Sequence, residues 1–230
     1  MKKKLSIVIT TIGEDELFDL LDSLEKSTIK ADEIIISIPE VFFYKIKNKL
    51  NNDILINKSK FKNQVIQRIE GFKIAKFDYV LQLDCDFLLH KKCIEKLLDV
   101  FNEKGHSISI SPEFLFNVKK NIYKDTFIKI FQFLLCLIFN EYNKNAKVFR
   151  RNDWSTWFSN PHRVNNLQKI KYHWGGCVLH YKKNLIIKNY FNFNFKRAFD
   201  EDIIHSILML RKGIILLNMV RKRRLLLIVF

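Results

Sequence analysis

An α/β fold with a mostly parallel central sheet flanked by helices is predicted for this chain of 230 residues by three observations. Short apolar runs suited to buried strands alternate with stretches whose apolar residues recur at helical spacing. No internal repeat, low-complexity tract or Pro/Gly/Ser-rich linker divides the chain, so one continuous domain is the economical reading. A composition of 48% hydrophobic and 13% aromatic residues supports a packed globule and excludes a disordered basic tail.

The elements follow in order. Residues 5–9 read as a buried strand, and residues 14–26 place Leu17, Leu20, Leu21 and Leu24 on one helical face. A second strand is predicted over residues 34–38, a helix-like stretch over 41–50 and a short strand over 53–56. Val65, Ile69, Phe72 and Ala75 mark the next helix, and residues 79–83 form a strand that ends in acid. Strands followed repeatedly by helices imply parallel pairing through right-handed crossovers, and such sheets bind ligands beyond the carboxyl ends of their strands. Polar residues just after strands are therefore the candidates for function.

Charge narrows the partners. Forty Lys and Arg against 24 Asp and Glu leave +16 on a folded surface, which favours nucleic acid, an anionic membrane leaflet or a phosphorylated substrate. The opening Met1-Lys2-Lys3-Lys4 runs into Leu5 and reaches Thr10-Thr11 before an apolar signal core can form, so a cytoplasmic location is expected. Cys85, Cys93, Cys136 and Cys177 show no C-x-x-C pair and no histidine at zinc spacing, so reduced thiols are expected. No apolar run reaches the roughly 18 residues that span a bilayer. Residues 127–139, broken only by Lys129 and Gln132, suit a buried or interfacial helix.

Two constellations carry chemistry. In Asp84-Cys85-Asp86 two carboxylates at i and i+2 can point to one side at a strand terminus. Hard oxygens suit Mg²⁺ or Mn²⁺ completed by substrate phosphates, while a solvated turn or the N-cap of a helix beginning near Lys91 is the plain alternative. In Asp200-Glu201-Asp202 three acids open a helix, either as a response to the helix dipole or as the seat of a general base.

The order of these features resembles a known family. Residues 6–11 (SIVITT), 21–27, Glu33 to Ile36, Arg68-x-x-Gly71, Ala75, residues 79–86, Gly175-Gly176 and Glu201-Asp202 occur in the sequence found in family 2 glycosyltransferases of GT-A fold. The likeness covers roughly residues 4–218, leaving residues 219–230 as a basic-apolar C-terminal tail. It implies a nucleotide-diphosphate sugar donor, a Mn²⁺ or Mg²⁺ ion and an inverting displacement at the anomeric carbon. Asp84 would lie nearer the ribose and diphosphate, Asp86 would ligate the metal beside it, and Asp202, next to Glu201, would deprotonate the acceptor hydroxyl. Thr10, Thr11 and Glu14 match the surroundings of the nucleobase and ribose, and Arg68 matches an arginine facing the nucleotide, with a solvated helix cation as its alternative. Gly175-Gly176 matches a loop near donor sugar and acceptor, with His173 and Trp174 lining that cleft. Residues 150–163, with Trp154 and Trp157, suit an acceptor loop.

Departures from the pattern are as specific. Pro39-Glu40 stands where relatives carry adjacent aspartates, so Glu40 is expected to replace the base contact. No histidine follows Glu201-Asp202 in the region of Met219 to Arg224, where many members carry a metal ligand, which raises the alternative of a catalytically impaired member. The Q-x-x-R-W motif of processive synthases is absent, favouring transfer of one sugar.

Residues 225–230 form an apolar run after Arg221-Lys222-Arg223-Arg224, suited to a last strand, a membrane contact or the point where a longer protein continues. With residues 127–142 and their flanking Lys119, Lys120, Lys124 and Lys129, they predict peripheral association with the inner membrane face. The acceptor would be a glycan or a lipid-linked glycan of bacterial surface polysaccharide or lipooligosaccharide synthesis. Nucleic acid is set aside as partner because no recognition motif appears and the cations are spread along the chain. A sugar nucleotidyltransferase would need a Gly-rich loop after the first strand, where Thr10 to Glu14 has one glycine.

Overall fold

A computed structural model describes residues 3–50, 52–112, 114–116, 167–173, 175–190, 201–219 and 227–229. Its first half is built from parallel strands: β1 (Leu5–Thr10), β2 (Glu33–Pro39), β3 (Ile54–Ser59) and β4 (Tyr79–Asp84). β2 and β4 both pair with β1 in parallel, and β3 extends the same sheet beyond β2. The helices between them are α1 (Glu16–Glu25) and α2 (Gln64–Ile74), as right-handed crossovers require.

Beyond β4 the pairing changes. β6 (Ile108–Ser111), β8 (Leu167–Lys169), β9 (Cys177–Tyr181) and β10 (Ile215–Met219) complete an eight-stranded sheet of order β3-β2-β1-β4-β9-β6-β10-β8. β9 runs antiparallel to both β4 and β6, and β8 antiparallel to β10, so the sheet is mixed though mostly parallel. A second sheet joins β5 (Phe87–Leu89), β11 (Leu227–Val229) and β7 (Phe114–Phe116), with β11 in the middle. The apolar run near the C-terminus thus includes a strand, paired antiparallel to β5 and parallel to β7. Among the described residues the remaining helices are α3 (Cys93–Lys104) and α4 (Glu201–Arg211).

Alternation along the strands explains the layers. Leu5, Ile7 and Ile9 of β1, Leu81 and Leu83 of β4, and Ile108 and Ile110 of β6 point to one side, where they form a single apolar cluster with Leu17, Leu20 and Leu24 of α1 and Ile94 and Leu97 of α3. Ser6, Val8 and Thr10, Val80 and Gln82, and Ser109 and Ser111 alternate with them and face α2 and α4. There the Ser37 hydroxyl donates to the Gln67 carbonyl at 2.7 Å, and the His173 N–H donates to the Ser206 hydroxyl at 2.9 Å. α2 approaches the sheet so closely that a Cβ on Gly71 would overlap the Val8 side chain. Its N-terminus is capped by Asn63, whose side chain accepts from the Ile66 N–H at 3.1 Å.

Three expectations change. Residues 41–50 form no α-helix: a 3-10 turn occupies Glu40–Lys45, and none of its residues is buried. Its Phe42 and Phe43 rings pack against the apolar cluster, while Val41 and Tyr44 face solvent. The third strand runs on to Ser59. The Asp84-Cys85-Asp86 turn does not cap the following helix, because β5 intervenes and buries Phe87 and Leu89 before α3 begins at Cys93. Cys85, Cys93 and Cys177 are free and buried, as expected of reduced thiols, while Cys136 lies outside the described residues. No helix among the described residues is long and apolar enough to cross a membrane.

Candidate active site

Parallel neighbours bring three strand ends together. Thr10 is in register with Ser37 on one side and Asp84 on the other, so the loop after β1 and the turn after β4 adjoin at the carboxyl edge of the sheet. The buried Thr10 hydroxyl donates to Asp84 Oδ1 at 3.1 Å. Glu14 closes the loop: its Oε2 accepts from the Thr11 hydroxyl at 2.5 Å, the Ile12 N–H at 2.8 Å and the Cys85 thiol at 3.3 Å. Half-burial alone would raise the Glu14 carboxyl, but these bonds outweigh it and hold the group below its ordinary value. Burial, reinforced by the Glu14 charge, pushes the Cys85 thiol far up, so it stays a neutral S–H.

Arg68 organises the centre. It projects from α2 with 1% exposure, which removes the solvated-cation alternative. Its Nη1 donates to both oxygens of Glu201 at 2.7 and 2.8 Å, its Nη2 donates to Asp84 Oδ1 at 3.3 Å, and Asp202 Oδ1 lies 3.8 Å from Nη1. One guanidinium therefore serves three carboxylates while shielded from bulk solvent. Burial opposes its charge, but Glu201, Asp84, Tyr190 and Asp202 raise its pKa well above the ordinary value, so it is permanently charged.

The carboxylates divide the cation unequally. Burial pushes Glu201 up, yet the two-bond contact with Arg68 prevails and keeps it ionised below its ordinary value. Burial raises Asp84, with Glu201 and Asp86 adding to the shift and Arg68 opposing it. Asp202 is raised furthest, first by burial and then by the Glu201 charge, against the pull of Arg68 and of the Gly175 backbone N–H. Its side chain keeps 37% exposure while Glu201 has 5%. Asp202 is thus the member of the pair that reaches solvent, and Glu201 is the counter-ion of Arg68. The Tyr190 hydroxyl adds a bond to Glu201 Oε2 at 3.2 Å.

The glycine pair is required by packing. A Cβ on Gly175 would overlap the Asp202 carboxylate, and one on Gly176 would overlap the Phe87 ring. The Gly176 carbonyl accepts from the Asp84 N–H at 2.8 Å, and the Gly175 carbonyl accepts from the Gln82 side chain, so this turn ties Asp84 to Asp202 through the backbone. His173 is 2% exposed, with Ser111 Oγ at 3.0 Å from its Nδ1, and so lies inside the molecule. Burial and the neighbouring His205 bring its pKa down to about 3.

Sequence reasoning thus singled out Thr10, Arg68, Asp84, Gly175, Glu201 and Asp202, which the fold brings into one cluster. Thr11 and Glu14 belong to the adjoining loop, and Asp86 is exposed at the turn beside it, its carboxyl raised by partial burial and by Glu14 and Glu16. Glu40 stays on the surface at the start of the 3-10 turn, apart from the bonds that join the cluster. Trp174, Trp154, Trp157, Asp200 and residues 220–226 lie outside the described residues. Two glutamines of α2 and Tyr190 were missed. Gln64 donates to Asp84 Oδ1 at 2.9 Å, and Gln67 donates to the Thr11 and Ser37 carbonyls at 3.0 and 2.9 Å. The available signal was the spacing of Gln64 and Arg68, i and i+4, on a helix whose other face is apolar.

A divalent cation fits the residues present. The Thr10, Gln64 and Arg68 bonds all fall on Oδ1 of Asp84, none on Oδ2, and Asp86 offers a second hard carboxylate. Among the described residues no three His, Cys, Asp or Glu side chains group tightly enough to hold a metal unaided. Two carboxylate donors suit an ion such as Mg²⁺ or Mn²⁺, which keeps waters and takes substrate phosphates.

Comparison with known proteins agrees with this architecture. The crystal structure of S. aureus TarS 1-349 is similar, with a TM-score of 0.58 at 13% identity, a likeness of fold. The match covers 98% of this chain and 60% of that one, so the chain spans less than two thirds of that structure. No curated protein sequence was found to match. A sequence model described as Glycosyl transferase family 2 matches residues 6–181, which include Arg68, Asp84, Asp86 and both glycines. With that match over more than half its length, the chain belongs to glycosyl transferase family 2.

Proposed function

We propose that the protein is an inverting glycosyltransferase that moves one sugar from a nucleotide-diphosphate sugar to a hydroxyl of a glycan or lipid-linked acceptor, in bacterial surface polysaccharide or lipooligosaccharide synthesis. The observation that carries the reading is the Arg68 network, which joins the carboxylate at the end of β4 to the carboxylate at the start of α4.

Asp202 is the base. Its partly exposed carboxylate accepts the proton of the acceptor hydroxyl as the oxygen attacks the anomeric carbon on the face opposite the diphosphate. A raised pKa makes it a stronger base once ionised and puts the acid limb of activity above the ordinary carboxylate range. Arg68 and the Gly175 turn hold that carboxylate in place. Asp84 and Asp86 would hold Mn²⁺ or Mg²⁺, which when bound offsets the charge developing on the departing diphosphate. Thr10, Thr11 and Glu14 shape the loop against which the nucleoside lies. The enzyme works peripherally at the inner membrane face, with residues 127–142 as a contact, while the apolar run at 227–229 is taken up as a strand.

Thermal shift and donor hydrolysis with UDP-, GDP- and CMP-sugars and Mn²⁺ test this reading. One donor class should stabilise the protein. Asp86→Ala should abolish the metal-dependent part of that stabilisation, whereas Asp202→Ala should keep donor binding and lose transfer by at least about 100-fold. If no donor shifts the melting temperature and neither substitution changes anything, the proposal fails.

A further inference from the structure

Outside the site, one surface combines exposed apolar side chains with a high density of cations. The 3-10 turn Glu40–Lys45 exposes Val41 by 70% and Tyr44 by 72%, and Phe61, just past the end of β3, is exposed by 57%. Ring contacts join these two segments into one surface: Lys45 and Lys62 lie 5.0 and 5.1 Å from the Phe42 ring centre, and Lys58 lies 4.1 Å from that of Phe43. Lys47 and Lys60 are exposed in the same segments, where the exposed acids are Glu40 and Asp53. β3 is the outermost strand, so among the described residues no further strand covers this edge. The surface also borders the donor-side loop, because a Cβ on Gly13 would stand 2.9 Å from Lys45 Cδ.

We propose that Val41, Tyr44 and Phe61, with the lysines around them, form the docking surface for an anionic lipid bilayer. Apolar side chains that protrude among ammonium groups match a headgroup boundary, where the rings and the valine enter the acyl edge while the lysines meet lipid phosphates. Phe42 and Phe43 hold lysines against their ring faces and only Tyr44 and Phe61 stay open, while the protruding Val41 has no ring to stack, which favours a bilayer over a single-stranded nucleic acid. Docking through this surface sets the loop of residues 11–14, on the nucleoside side of the proposed site, beside the membrane. The inference deepens the membrane-facing part of the proposed function and does not depend on residues 127–142.

The test is flotation of the full chain with vesicles of phosphatidylcholine alone or with about a third phosphatidylglycerol. The protein should float with the anionic vesicles only. Tyr44→Ser with Phe61→Ser should lower partitioning by about tenfold or more, since each side chain loses an insertion contact. Lys47→Glu with Lys60→Glu should lower it by at least about tenfold, whereas Lys96→Glu with Lys104→Glu on α3, an equal charge change elsewhere, should leave most of it. Unchanged melting temperatures and donor-induced shifts in these variants show that they are folded and keep the transferase reading separate from this one. Equal flotation of all forms overturns the proposal, as does equal loss in the α3 control. Binding of a single-stranded oligonucleotide that these substitutions weaken, with no vesicle binding, overturns it in favour of a nucleic-acid surface.

Discussion

The two faces of the large sheet are made by the same strands and do opposite things. One face presents Ile7, Ile9, Ile36, Ile38, Leu81, Leu83, Leu179 and Leu217 to α1 and α3, and every residue in that set is at most 9% exposed. The other presents Ser37, Thr10, Gln82, Asp84, Ser109, Ser111 and His180 to α2 and α4. Buried polar atoms without a hydrogen-bond partner among the described residues, including Arg68 Nε, Gln82 Oε1, His180 Nε2 and Asp202 Oδ1, all lie on this second side. The apolar face supplies stability, and the polar face holds charged groups in a geometry that water would otherwise dissolve.

That contrast can be broken most severely at Arg68. Arg68→Ala leaves Glu201 and Asp84 buried without their cation and should destabilise the protein by about 3–5 kcal/mol, measured by urea unfolding. Arg68→Lys should recover only part of this, because an ammonium cannot reproduce the guanidinium's reach to Glu201 and Asp84 together. On the opposite face, Leu81→Ala should cost a comparable but smaller amount, about 2–4 kcal/mol, through cavity formation. The sharper difference is functional: donor-induced stabilisation should survive Leu81→Ala and be lost in Arg68→Ala. Equal donor responses in the two variants would show that the faces are not specialised.

A smaller effect concerns pH. Burial and their neighbours lower His180 well below its ordinary value, His173 to about 3 and His205 to about 4. All three are therefore neutral in the folded protein and take up protons on unfolding below about pH 6.5. Their contribution to stability is full above that pH and falls as the solution is acidified, by about 1 kcal/mol per histidine at pH 5.5. The raised carboxyl of Asp202 works in the opposite direction, so the comparison should be made between variants. Between pH 7.5 and 5.5 His180→Gln should lose about 1 kcal/mol less stability than the unmodified protein, measured by urea unfolding at each pH. An identical pH slope would show that His180 does not titrate on unfolding.

Much of the fold was legible because it depends on local patterns. The runs at Leu5 and Tyr79 alternate in character along the chain, and the spacing of Leu17, Leu20 and Leu24 permits only one buried face. The helix expected at 41–50 is a 3-10 turn instead, although Phe42, Phe43 and Ile46 do pack inward, so an apolar period by itself did not decide the backbone form. At the site, Asp84, Asp86 and Asp202 stood out by their places after a strand and before a helix, and the structure brings Asp84 and Asp202 to Arg68. The role of Arg68 could not, because a single arginine on a helix looks the same whether it is solvated or buried. Nor could Gln64, Gln67 and Tyr190, which bind partners remote in the chain.

Periodicity, charge and motif order along the chain were enough for the layer architecture, the strand ends that adjoin at the sheet edge and the carboxylates that gather there. The division of labour among those carboxylates came from three dimensions. Arg68 and Glu201 are 133 residues apart, and they meet because β4 lies between β1 and β9, which sets α2 beside the start of α4. Which carboxylate is buried against the guanidinium and which keeps contact with solvent is a matter of desolvation and distance, and neither exists until the sheet has assembled.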